Sequence, residues 1–147
     1  MQALYTIGYT KKTLREFISR LRTAQVDCVV DVRLNNTSQL AGFSKRDDLE
    51  FLLMEGFGIG YVHAPEFAPT EEMLHAYKNS KDWDSYESAY WGLAEERGMS
   101  FAFIKLAKKA GCQRPCLLCA EPDAEHCHRR ILAQAIETRT LVEVIHL

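Results

Sequence analysis

The sequence predicts an α/β fold: a single domain in which a mainly parallel sheet of about five strands carries helices on both faces. Short apolar, β-branched runs alternate with stretches of helical periodicity along the 147 residues, and that alternation implies right-handed crossovers between parallel strands. The strand-like runs are apolar almost without interruption, as strands covered on both faces must be. Length agrees, because a chain of this size is about one domain and buries roughly two-thirds of its unfolded surface.

Taken in order, Leu4 to Ile7 is a short apolar run ending at Gly8, a strand running into a turn. A helix follows, with Thr10 as N-cap and Leu14, Phe17, Ile18 and Leu21 at the i, i+3, i+4, i+7 spacing of one buried face. Cys28 to Val32 reads as a covered strand whose one acid, Asp31, stands out. A polar loop through Asn35, Asn36, Thr37 and Ser38 leads to Ser44-Lys45-Arg46-Asp47, which resembles a capping box with Asp in the third position. Leu49, Leu52 and Leu53 give the next helix face, Gly56 its stop, and Ile59 to His63 a third strand closed by Ala64-Pro65. The middle is helical and more acidic. Thr70 caps a helix carrying Met73, Leu74 and Tyr77, and Asp84 with Glu87 opens another carrying Tyr86, Tyr90 and Leu93 as far as Gly98. Phe103, Leu106, Ala107 and Ala110 continue the helical spacing to Gly111. Pro115 to Ala120 is a fourth strand, a helix marked by Ile131, Leu132, Ala135 and Ile136 starts near Cys127, and Leu141 to His146 is the last strand. No internal repeat, linker or composition break divides the chain.

Composition narrows the function classes. Hydrophobic residues at 47% and charged residues at 26% exclude disorder and low-complexity polymers. Eighteen Lys and Arg against 20 Asp and Glu, a net charge of -2, exclude a strongly basic nucleic-acid coat while leaving room for a local basic patch. The longest apolar run, Cys116 to Ala120, is far short of the roughly 20 residues that span a bilayer, so no membrane contact is expected. The N-terminus lacks the pattern of a signal peptide, which points to the cytosol. Five cysteines cannot all pair within one chain and are expected as thiols in a reducing compartment.

Parallel sheets bind ligands beyond the carboxyl ends of their strands, and four polar clusters follow strand ends here: Gly8-Tyr9-Thr10, Asp31-Val32-Arg33, Tyr61 to His63, and Cys119-Ala120-Glu121. The segment Glu121 to Arg130 then crowds acids, histidines, a cysteine and two arginines into a turn and a helix start. Arginine there is unfavourable to the helix unless an anion or acid lies close, so Arg129, joined by Arg33, is expected to hold an anion. The alternative is an ion-pair network of Arg33 and Arg129 with Asp31 and Glu121. Asp31 needs a partner if buried, and Arg33, two residues on, points to the same side of a regular strand. Asp31 is therefore expected to orient arginine and not to transfer protons. Glu121 and His128 are the acid–base candidates. Cys127, at a helix start beside His128 and Arg129, has surroundings that favour thiolate; the bland alternative is a small buried side chain. Cys119, Cys127 and His128 with one open position would suit zinc, yet their spacing matches no standard zinc module and no metal is expected. Trp83, Tyr86, Tyr90 and Trp91 are read mostly as core or lid residues. No P-loop, GxGxxG, HExxH or GxSxG occurs, and no cofactor is expected.

Thr6-Ile7-Gly8-Tyr9, Asp31-Val32-Arg33 with Ser38 and Gly42-Phe43, Gly58-Ile59-Gly60-Tyr61, Leu117-Leu118-Cys119-Ala120-Glu121 and the CHR motif Cys127-His128-Arg129 occur in this order over nearly the whole chain. Through them the sequence resembles the family catalogued as domain of unknown function 488. The resemblance implies a compact α/β domain whose polar motif residues cluster at one site; it supplies no reaction. Family members usually carry proline in place of Asn36 and a Leu-Gly pair near Phe67-Ala68, so this chain looks like a subgroup.

These readings lead to an enzyme for a small anionic or nucleotide-like substrate, held by Arg33, Arg129 and the helix start, with Tyr9, Ser38 and Tyr61 also at the site. A binding module for nucleic acid or a phosphorylated ligand is the alternative, with Lys105, Lys108, Lys109 and Arg114 adding backbone contacts. A third reading is a thiol or sulfur-transfer protein using Cys127.

Overall fold

The computed structural model describes the backbone of residues 1–147 and the side chains of all but residues 39–41. The strands are β1 (Leu4–Gly8), β2 (Cys28–Asp31), β3 (Gly60–His63), β4 (Pro115–Cys119) and β5 (Val144–His146). The helices are α1 (Leu14–Thr23), α2 (Arg46–Phe51), α3 (Glu71–Ser80), α4 (Trp83–Glu96), α5 (Met99–Lys109) and α6 (His128–Thr140). The five strands form one sheet in the order β3-β2-β4-β1-β5, and every neighbouring pair is parallel.

Alternation of side chains across each strand sends successive residues to opposite faces, and two apolar cores result. Tyr5, Ile7, Val29, Cys116 and Leu118 face Phe17, Ile18 and Leu21 of α1 and Leu49 of α2. Leu4, Val30 and Leu117 face Tyr90, Phe103, Ile131 and Ile136 of α4, α5 and α6. The crossovers after β1 and β2 thus lie on one face, and those after β3 and β4 on the other. At its carboxyl end, β4 sits between β2 and β1, whose crossovers leave toward the opposite face. That divergence opens a crevice where α/β sheets place their ligands.

Several element ends differ from the sequence reading for identifiable reasons. The N-cap of α1 is Thr13, not Thr10: Thr13 and Glu16 form a full capping box, while the Thr10 N–H is engaged by the Ala120 carbonyl at 3.1 Å. The box expected at Ser44 to Asp47 does not open α2, which starts after Lys45 without a side-chain cap, and Asp47 pairs with its neighbour Arg46 at the surface. The helix continues past Phe51 as a π-helical turn, Leu52–Gly56, which still buries Leu49 and Leu53 completely. Asp82, two residues before the start expected at Asp84, caps α4 through the Ser85 N–H. Leu141 is no strand residue; it ends α6 in the left-handed conformation and is 91% exposed. No helix among the described residues is long and apolar enough to cross a membrane.

Candidate functional site

At the end of β2 the buried Asp31 carboxylate gathers donors from three segments of the chain. Its Oδ1 accepts from the Arg33 backbone N–H at 3.1 Å and from Arg33 Nε at 2.8 Å. Its Oδ2 accepts from Arg33 Nη2 at 2.6 Å, Asn36 Nδ2 at 3.1 Å and the Tyr61 hydroxyl at 2.6 Å. Burial pushes the carboxyl up, but the Arg33 guanidinium and the Tyr61 and Asn36 hydrogen bonds outweigh it and hold Asp31 below the usual carboxylate value. Burial and the facing carboxylate push the Tyr61 phenol far up, which keeps it a donor. Arg33 also donates to the Ser44 carbonyl at 2.7 Å and stacks over the Tyr9 ring, 5.2 Å from its centroid. The pairing of Asp31 with Arg33 expected from their spacing is present, and it ties β2 to edge strand β3 and to the loop before α2.

Arg129 is 1% exposed, although it sits in the first turn of α6. It donates to the Glu121 carbonyl at 2.6 Å, to the Pro122 carbonyl at 3.3 Å and to Thr6 Oγ1 at 3.4 Å. The acceptor from Glu121 is its backbone oxygen, and its side chain is exposed. Both guanidiniums expected to grip an anion are therefore committed to acceptors of the protein itself. For Arg129 those acceptors include backbone carbonyls of the loop after β4, which no residue-type reading registers.

The reactive groups lie beside this scaffold. Cys119 ends β4 and Cys127 is the N-cap of α6, and the donor atoms of Cys119, Cys127 and His128 all lie within 4.8 Å of one another. His128 Nδ1 stands 3.7 Å from Cys119 Sγ, and its Nε2 stands 3.1 Å from the Val32 carbonyl. A carbonyl only accepts, so Nε2 carries the proton and Nδ1 presents a lone pair to the thiols in the neutral ring. Burial would raise the Cys127 thiol; hydrogen bonds from Cys119 and His128 and the charges of His128 and Arg129 reverse the sign and place it well below the ordinary thiol value. The start of α6 acts in the same direction, since its free N–H groups favour negative charge. Cys119 moves oppositely, raised by its hydrogen bond to Cys127 and by burial. The opposite directions favour the thiolate at Cys127 over Cys119.

A cavity of about 190 Å³ opens onto this group, lined by Arg33, Leu34, Pro69, Leu74, Tyr86, Glu121, His126 and the two cysteines with His128. Its cover comes from α3 and α4: Trp83 lies 5.8 Å from Tyr77 and 5.4 Å from Tyr86, and meets His126 edge-on at 5.1 Å. Arg130 crosses Trp83 at 5.7 Å and pairs with Glu87 of α4 at 2.6 Å, fixing the cover to α6. Tyr90 is fully buried, with its hydroxyl on the Phe67 carbonyl, so the aromatics divide into core and lid. Ser38 is exposed in the loop after β2. Lys105, Lys108, Lys109 and Arg114 precede β4 and so lie at the amino edge of the sheet, about 13 Å of strand from the cavity. Arg114 is moreover directed to Tyr5 and the Ala24 carbonyl.

Cys119, Cys127 and His128 are also the one group of potential metal-binding side chains among the described residues. Sequence reasoning places Cys127 and His128 at the site and Cys119 at a strand end beside them, as a zinc candidate only, and it leaves out His126. The position of Cys119 at a carboxyl strand end is the signal that marks it, but nothing in the sequence singles it out as a thiol partner of Cys127.

The family model described as Domain of unknown function DUF488 matches residues 13–136, a span that runs from the cap of α1 through most of α6. No curated protein and no solved structure matches the chain. With most of its length matched, the chain belongs to the domain of unknown function 488 family.

Proposed function

We propose that this protein is a thiol-dependent enzyme acting on a small substrate at the carboxyl edge of the sheet, with Cys127 as nucleophile. The observation that carries this reading is the position of Cys127: it caps a helix N-terminus, within 4.8 Å of both His128 and a second thiol, and borders a cavity. A thiolate is the nucleophilic form of cysteine, and helix starts and cationic neighbours stabilise it. Cys127 Sγ attacks an electrophilic centre of the substrate and forms a bond to it, and the bond to the leaving group breaks. His128, having taken the thiol proton on Nδ1, returns that proton to the leaving group while Nε2 stays on the Val32 carbonyl. The cavity is smaller than the roughly 300 Å³ at which pockets for drug-sized ligands begin, which favours a small substrate. Asp31 and Arg33 act as the brace that holds Val32 and the cavity wall, in keeping with a carboxylate whose lone pairs are all engaged.

The test is the rate of alkylation by iodoacetamide as a function of pH, with peptide mapping of the modified cysteine. The expected result is one fast-reacting thiol at Cys127, whose rate reaches its plateau below the pH at which ordinary thiols ionise. In His128→Asn the midpoint moves upward. Reaction of Cys127 no faster than the thiols of the unfolded chain overturns the proposal.

A further inference from the structure

Of the five cysteines, Cys28 and Cys112 pack in one apolar core and Cys116 in the other. Cys119 and Cys127 belong to neither core and instead line the cavity together. Attack by one thiolate on an electrophilic carbon or phosphorus has no use for a second thiol at the same place. Attack on a disulfide does, because the product is a mixed disulfide that a neighbouring thiol resolves.

The geometry points to Cys119 as the resolving thiol of a two-cysteine exchange centre, whose substrate is a small disulfide of the form RS–SR. This deepens the preceding proposal and rests on its assignment of Cys127 as nucleophile. In the first step Cys127 Sγ attacks one sulfur of RS–SR. A Cys127–SR bond forms, the substrate S–S bond breaks, and RS⁻ leaves with the proton carried by His128. In the second step Cys119 gives its proton to His128 Nδ1, 3.7 Å away, and attacks Cys127 Sγ. The Cys119–Cys127 bond forms and the second RS⁻ departs with that proton. The substrate is reduced to two RSH, and the pair of thiols is oxidised to one disulfide. An external thiol of the same class, in excess, reverses both steps and restores the centre.

Bringing sulfurs from within 4.8 Å to the bonding distance of about 2.05 Å requires a side-chain rotation at one of them. A rotation at Cys127 leaves the sheet untouched. Cys127 is a cap with extended backbone, φ -139° and ψ 138°, its N–H and carbonyl bonded to Ala124 and Arg130, whereas Cys119 lies in β4 opposite Gly8. The cavity walls, Leu34, Pro69, Leu74 and Tyr86, suit a compact disulfide with little charge.

The probe is bis(2-hydroxyethyl) disulfide, added to the reduced full chain, with released thiol counted and the protein analysed by intact mass and peptide mapping. The expected result is release of two thiols per chain and a protein lighter by two hydrogens, with the peptides of Cys119 and Cys127 cross-linked. Cys119→Ser and Cys119→Ala are each expected to release one thiol and to stop as the mixed disulfide on Cys127. Wild-type protein that also stops at the mixed disulfide, or a cross-link that excludes Cys119, overturns the inference and leaves Cys127 as nucleophile. Absence of any reaction with the disulfide in protein whose Cys127 is rapidly alkylated by iodoacetamide overturns it likewise. Slow alkylation of Cys127 instead overturns the proposal beneath it.

Discussion

Gly8 and Glu121 touch so closely that a Cβ built on Gly8 would lie 1.6 Å from the Glu121 carbonyl oxygen. That same oxygen accepts from Arg129 Nη1 at 2.6 Å. The end of β1, the loop after β4 and the start of α6 are therefore fastened at one point, directly beside Cys119 and Cys127. Gly8→Ala is expected to force the loop away and to destabilise the protein by about 3 kcal/mol or more, at the upper end of overpacking costs. Urea denaturation measures the change. A loss below about 1 kcal/mol would mean that the loop is free to yield.

Arg129→Ala is expected to damage the fold, because it leaves the Glu121 and Pro122 carbonyls without their donor and a void under the first turn of α6. A bound anion beside Arg129, as the sequence alone suggests, would mean little loss of stability; its acceptors within the protein favour the opposite outcome. A cost of about 3 kcal/mol is expected from the lost hydrogen bonds to a charged group together with the cavity, read as a fall in thermal midpoint. Arg129→Lys should recover only part of it, since an ammonium lacks the planar fork that reaches three acceptors. An unchanged midpoint in Arg129→Ala would restore the ligand-binding role.

The Asp31 brace makes stability depend on pH in a defined direction. Its carboxyl is held below the ordinary value of 3.8 in the folded chain, so the unfolded chain binds the proton more readily. The stabilisation is complete above about pH 4 to 5 and is lost as pH falls through the folded value. Asp31→Asn leaves Arg33 buried without its counter-charge and should cost about 3–5 kcal/mol at neutral pH. The gap between the two proteins should narrow as the pH drops below 3.8. A gap independent of pH from neutrality into that range would show that the charge of Asp31 contributes nothing.

Purified protein is expected to contain no stoichiometric zinc. Cys127 and His128 are consecutive residues, an arrangement that the spaced ligand pairs of structural zinc modules avoid. Metal analysis of protein prepared without chelator decides the point, and about one zinc per chain would mean that the cluster is a metal centre.

How far the site is legible in the sequence varies by residue for physical reasons. Asp31 announces itself, because an acid in an apolar strand must find a partner and Arg33 lies at a spacing that shares its side. The order and type of the main elements follow from periodicity, which buried faces impose. Thr13 has Glu16 three residues on, a capping-box signature present in the sequence, while Thr10 is further removed from the helix by its backbone bond to Ala120, over a hundred residues away. The fate of Arg129 is hidden because its acceptors are carbonyls, present at every residue and placed only by the path of a loop. Cys119 meets its partners through that same loop, eight residues before Cys127, in a register no local pattern encodes.

The edge-on contact between Trp83 and His126, 5.1 Å between ring centres, gives the site an optical voice. Indole emission is sensitive to nearby imidazole and guanidinium groups, and Trp83 has both, with Arg130 on its face. Trp83 meets the cavity through His126, which lines it; Trp91, the other tryptophan of the chain, lines a separate pocket with Phe101 and Arg139 and supplies the reference signal. Because His126 lines the cavity and touches Trp83, the expected readout of a molecule entering beside Cys127 is a change in Trp83 intensity, without label or substitution and whatever the chemistry of the molecule that enters.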